Sequence, residues 1–173
     1  VRGGSQTNGT STGSLRLTGD NTFDGAIIVY ADTKLIAASP TALGAAYSWS
    51  STAVTNGGTL ALDSVGTYAN LEPLTLYGAG CKSGGAGVGA LQNLAGDNTF
   101  NGPITLGADA TVGVTAGSLT LGGEIAGSSR LTKVGTGTLT LTGASSYAGG
   151  TIVSNGVLAL GAGGAIDSST QLN

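Results

Sequence analysis

The sequence has no histidine, one cysteine, three prolines and only six lysines and arginines in 173 residues. Each scarcity closes a class of function. Without histidine there is no Ser-His-Asp or Cys-His relay and no imidazole to ligate a metal. A single cysteine, Cys81, can neither close a disulfide within the chain nor build a thiolate zinc site. It reads as a small residue in a glycine-rich turn, with an intermolecular crosslink as the sharper alternative. Charged residues make up 9% and the formal net charge is −3. No basic stripe exists to neutralise the phosphates of a nucleic acid, and cations are too sparse to hold an anionic membrane surface. No apolar run nears the roughly 18 residues of a membrane-spanning helix; the longest is "AIIVYA" at 26–31. Neither an initiating methionine nor a signal peptide opens the chain, which is expected to be processed or excised from something longer. No cofactor, no metal, no nucleic-acid partner and no membrane insertion are expected.

What the chain does have is glycine, 33 residues of it, with 40% apolar residues. Glycine does not recur at every third place, as collagen requires. The apolar content is too high, and the charge too low, for ordinary disorder. Short apolar runs between glycine, serine and threonine predict many short strands joined by tight turns. Alternating pairs mark them: Leu15/Leu17, Ile27/Val29, Leu60/Leu62, Leu74/Leu76, Ile104/Leu106, Val112/Val114, Leu119/Leu121, Leu139/Leu141 and Leu158/Leu160. Each is a strand with one buried face. The pairs recur at a fixed offset: 139 − 119 = 20, 158 − 139 = 19, 125 − 104 = 21 for Ile104 and Ile125, and 131 − 112 = 19 for Val112 and Leu131. A period near 20 with glycine at the corners is the signature of a solenoid. The expectation is an all-β parallel β-helix of roughly eight or nine coils, a rod on the order of 40 Å long.

One corner is spelled nearly the same way more than once. "GDNTFDG" occupies 19–25, "GDNTFNG" 96–102, and a looser "GASSYAG" 143–149. In this reading Gly19, Gly25, Gly96, Gly102, Gly143 and Gly149 supply backbone freedom. Asn21 and Asn98 form Asx turns. Phe23, Phe100 and Tyr147 share one place, where a ring folds over the core. The acids do not recur together, since Asp20 and Asp97 align with Ala144, so a catalytic carboxylate is not what the segment preserves. Longer echoes agree: "GSLRLTG" at 13–19 matches "GTLTLTG" at 137–143, and "NGGTLAL" at 56–62 matches "NGVLAL" at 155–160. The chain ends mid-repeat on "SSTQLN". The expectation is one domain over 1–173, irregular over 1–13, forming a segment of a longer array.

The stretch "LTKVGTGTLTLTGASSYAGGTIVSNGVLAL" at 131–160 resembles the passenger-associated transport repeat of bacterial autotransporters. That pattern runs L-x-K-x-G-x-G-x-L-x-L-x-G-x-N-x-Y-x-G-G-T, and Ser145 stands here in the Asn place. The resemblance extends more diffusely over most of the chain after about Leu15. It implies a right-handed parallel β-helix outside the cell or on the bacterial surface, in a protein whose repeats assist export and folding. The family's membrane barrel is not seen, because no alternating ten-residue spans with aromatic girdles occur.

Other chemistry finds little support. The acids Asp20, Asp24, Asp32, Asp63, Glu72, Asp97, Asp109, Glu124 and Asp167 are spread along the chain. Only Asp20 with Asp24, or Asp97 with a neighbouring coil, could meet as a polysaccharide-cleaving pair. "GGAGVGA" at 84–90 lacks the Asp of a calcium nonapeptide and the Lys-Ser/Thr of a phosphate loop. The threonines of "TLTLT" at 138–142 suit a solvent-facing strand; an ice-binding ladder would break at Val157 and Ala159. Tyr47 and Trp49, in "AAYSWSS" at 45–51, could stack on a glycan. The reading is therefore a non-enzymatic stalk or fibre that stacks end to end, with a glycan- or receptor-binding adhesin as the alternative.

Overall fold

The computed structural model describes residues 13–45, 50–68, 70–166 and 171–172. Among these residues there is no helix, and the strands, mostly three to five residues long, stack as a parallel β-solenoid. Runs this short cannot complete the apolar stripe of a helix but do cover one face of a strand.

Three parallel ladders form the walls. The first runs through Gly13–Leu17, Thr33–Ala37, Thr59–Asp63, Leu91–Ala95, the second half of Ile104–Val114, Leu131–Val134, Thr151–Val153 and Gln171–Leu172. The second joins Ile27–Val29, Thr52–Val54, Leu74–Gly78, the first half of Ile104–Val114 and Ile125–Gly127. The third joins Asp97–Phe100, Ser118–Leu121, Thr138–Leu141 and Val157–Leu160. One coil goes from the first wall at Leu131–Val134 to the third at Thr138–Leu141, bridges the second at Ser145, and regains the first at Thr151–Val153.

Inward side chains line up from coil to coil. Leu35, Leu60, Leu91, Val112, Lys133 and Val153 form one column. Leu74, Ile104 and Ile125 form a second, and Asn98, Leu119, Leu139 and Leu158 a third. Almost all the aliphatic members are buried, and all but Val153 belong to one continuous core or pack against it. The expected partner of Val112 was Leu131; the register instead pairs Val112 with Lys133, 21 residues on, and Leu131 with Ala110. Period-2 reasoning passes over a lysine, although this one stands in the aliphatic column.

The first wall has eight rungs, hence seven coil-to-coil steps and a length of roughly 34 Å at about 4.8 Å per step. That is fewer than the eight or nine coils expected, because two coils are enlarged. Thr59 follows its partner Lys34 by 59 − 34 = 25 residues, and Leu91 follows Leu60 by 91 − 60 = 31. The longer excursion holds an antiparallel hairpin, Lys82–Ser83 with Ala86–Gly87. It folds back over the outside of the first wall. Ala61 and Gln92 alternate with core residues and so face outward, yet they are only 0% and 4% exposed. A Cβ on Gly113 would lie 1.9 Å from the Val88 carbonyl oxygen, so only glycine admits the hairpin there. The glycine-rich run at 78–89 is thus an ordered cover.

Candidate functional site

The three look-alike segments do not share one place in the coil. Residues 19–25 and 96–102 lie between the first and second walls, where the third wall passes, and Asp97–Phe100 is itself a strand. Residues 143–149 lie between the third and first walls, around the Ser145 bridge. The echo 13–19 against 137–143 is displaced in the same way, from first wall to third. The repeat therefore recurs along the chain out of phase with the walls. The walls are interchangeable to it, since each needs only an alternating strand and a tight exit.

The corner glycines are explained by stacking more than by local freedom. A Cβ on Gly102 would sit 2.1 Å from the Glu72 carbonyl oxygen, on Gly143 2.2 Å from that of Gly123, and on Gly149 2.2 Å from the Ser129 carbonyl carbon. Each contact is with the preceding coil. Of the six corner glycines only Gly96 has a left-handed φ, +76°. Gly19 and Gly25 meet nothing within 4 Å; no described coil lies beneath them.

The asparagines bind across coils. Asn98 is 1% exposed. Its Oδ1 accepts from the backbone amides of Val65 (2.6 Å) and Gly66 (2.9 Å), and its Nδ2 donates to Asn93 Oδ1 (2.6 Å) and the Ala95 carbonyl (2.8 Å). Asn93, 0% exposed, donates to the carbonyls of Gly96 and Ala116. Asn21 donates to the carbonyls of Gly19 (3.2 Å) and, one coil on, Ala42 (2.9 Å). Ser145, in the repeat's Asn place, is too short for such a link; its Oγ is the buried side-chain atom without a partner among the described residues. The aromatics differ as well. Phe100 and Tyr147 are buried and Phe23 is 42% exposed. Phe100 stacks on Tyr68 with ring centroids 5.6 Å apart, and the Tyr68 hydroxyl accepts from the Leu43 amide at 2.8 Å. Burial pushes the Tyr68 pKa well above the usual tyrosine value.

The acids are used in the same way. Asp20 accepts from Thr41, Asp97 from Ser118, Asp109 from the Arg130 amide and Glu124 from Ser146, each 21 or 22 residues away. Asp63 pairs with Arg16 two coils below. Among the described residues no group of three or more His, Cys, Asp and Glu side chains could hold a metal ion. Two further charged groups, not singled out from sequence, are buried outright. Lys133 is 0% exposed, and its ammonium donates to the carbonyls of Val134 (3.1 Å), Gly135 (2.8 Å) and Asn155 (3.1 Å). It closes two successive corners, and burial lowers its pKa. The available signal was a lone charge at a place where alternation calls for an apolar residue. Glu72 is 1% exposed and accepts from Ser50 (3.2 Å) and Thr52 (3.0 Å). Burial raises its pKa, and the two hydroxyl donors offset part of the rise.

The outer hairpin is pinned by Cys81, 2% exposed. The Cys81 thiol donates to the Thr33 carbonyl at 3.2 Å and its amide to Thr59 Oγ1 at 2.8 Å. A buried thiol in this position is not presented for crosslinking. Hollows flank the hairpin on either side. One, of about 350 Å³, is lined by Ser83, Val88, Gln92, Thr115 and Val134 among others; Gln92 links Lys34 to Thr115 across its floor. The other, of about 190 Å³, holds Asp32, Asn56 and Lys82. Tyr47 and Trp49, the expected glycan contacts, lie outside the described residues, as does Asp167.

Residues 10–31 and 131–160 match the family model of the passenger-associated transport repeat. Neither a curated protein nor a solved structure matches the chain. The second matched segment contains Lys133, Gly143 and Gly149, each of which meets the neighbouring coil.

Two outcomes are expected. Asn98→Ala strands two amides and two carbonyl-type acceptors in the core and should cost about 3 kcal/mol in urea unfolding, against about 1 kcal/mol for the part-exposed Asn21→Ala. Glu72 has a folded pKa above its ordinary 4.5. Its contribution to stability is therefore full below that value and is lost as pH rises through the folded pKa. Glu72→Gln should raise the thermal midpoint at pH 7 by a few degrees, with the gain vanishing in acid below the ordinary value. A constant difference across pH would contradict this.

Proposed function

Because two of its segments are passenger-associated transport repeats, we propose that this chain is a non-enzymatic structural segment of an exported passenger. It serves as a β-helical stalk or fibre segment at a bacterial surface or in the secreted state. The observation that carries this reading is where the polar side chains go. Asparagines, carboxylates and the buried lysine are bonded to the neighbouring coil, at offsets of about one coil. Side chains bound in this way build a rod and are not free for chemistry. The outermost described coils also support end-to-end stacking. Leu15 (41%), Ile28 (41%) and Phe23 (42%) are exposed at one end, and Val157 (52%) and Leu160 (49%) at the other. A further coil of the same kind would cover both sets.

Electron microscopy and small-angle scattering over a range of concentrations test the reading. Particles should grow along one axis only, in steps of the single-rod length. A particle that stays monomeric at every concentration would refute the stacking. Turnover of uronate polymers with calcium would refute the non-enzymatic assignment.

A further inference from the structure

The smaller hollow beside the hairpin differs from the rest of the surface. Elsewhere most of the described acids and cations bind another coil. Here Asp32 and Lys82 line one cavity of about 190 Å³, and among the described residues neither has an ion-pair partner. Asn56 adds an amide, and Gly57, Gly80 and Gly87 complete the lining. Asp32 is held at φ +57°, a strained setting for a non-glycine residue that recurs at binding sites. The cavity is smaller than the roughly 300–1,000 Å³ of a drug-sized site, so it takes one small ring.

We propose that this hollow binds a single saccharide ring, such as the terminal sugar of a glycan, through the Asp32 carboxylate, the Asn56 amide and the Lys82 ammonium. Vicinal hydroxyls both donate and accept, and so they match a carboxylate that only accepts beside an ammonium that only donates. An apolar ligand would strand both charges. A phosphate or carboxylate would face Asp32, and one carboxylate does not hold a cation. Two tyrosines precede lining residues in the sequence, Tyr30 before Asp32 and Tyr77 before Ala79. Tyr30, Thr55 and Tyr77 directly follow the aligned residues Val29, Val54 and Leu76. Tyr30 is 37% exposed, and the Tyr77 ring covers Gly107, where a Cβ would lie 2.4 Å from it. These rings can take the C–H face of a second sugar unit. The inference does not depend on the structural reading, since a stalk can carry a sugar site or lack one.

The test is a titration of the ¹⁵N-labelled chain with glucose, galactose, mannose and N-acetylglucosamine, and separately with glycine as a simple zwitterion. At least one sugar should shift the amides of Gly57, Gly80, Lys82 and Gly87, with a Kd of about 1–10 mM. Asp32→Asn, which tolerates the left-handed backbone, and Lys82→Gln should each weaken binding about tenfold. Neither should move the thermal midpoint, and Asp24→Asn on an exposed corner should leave binding unchanged. The proposal fails if no sugar shifts these amides, if glycine does so and sugars do not, or if binding survives both substitutions.

Discussion

Everything in this structure depends on one close approach: each coil lies on the previous one at the spacing of a parallel β-ladder. The strand amides of the walls find their carbonyls a full coil away. The corners must come equally close without strands, which explains the glycines at 102, 143 and 149. A side chain at any of them would run into the backbone of the coil beneath. Residues 19 and 25 carry the same letters where no described coil lies beneath them.

The approach also decides what the polar residues do. An interior of leucine on leucine is strong but poorly addressed, because neighbouring coils look alike and a slip by one repeat would bury much the same area. The Asn98–Asn93 pair, with two amides and three carbonyls fitted around it, has its full set of partners in only one register. Lys133 adds a similar constraint among the carbonyls of two corners. Both cost desolvation, and both are therefore sensitive to misalignment. Glu72 is the weakest of these arrangements, with two hydroxyl donors and no cation against a buried carboxyl.

Much of the architecture was legible in the sequence, because strand alternation and the 20-residue offset are properties of neighbouring residues. Leu119, Leu139 and Leu158 stand in register as the spacing indicates. What was not legible depends on how long each loop is before the chain returns. The segments at 96–102 and 143–149 are 147 − 100 = 47 residues apart, two 21-residue coils and five residues more, so Phe100 and Tyr147 look equivalent in sequence and are not in space. The hairpin over Gln92 and Gly113 is a long-range contact with no local signal beyond an excess of glycine. Lys133 was missed because a charged residue is assigned outward by default. At the sites, the asparagines were read as local turns, whereas half of the bonds of Asn21 and Asn98 reach another coil.

Native-state amide hydrogen exchange resolved along the chain tests the central claim most directly. The claim is that coils outside the two matched segments belong to the same continuous stack. Slow exchange should recur every 20 to 21 residues through 91–95, 112–114 and 131–134 on one wall and through 97–100, 118–121 and 138–141 on another. The strand at 59–63, beneath the hairpin, should be equally protected. Protection confined to 131–160, with rapid exchange through 59–121, would contradict a single solenoid.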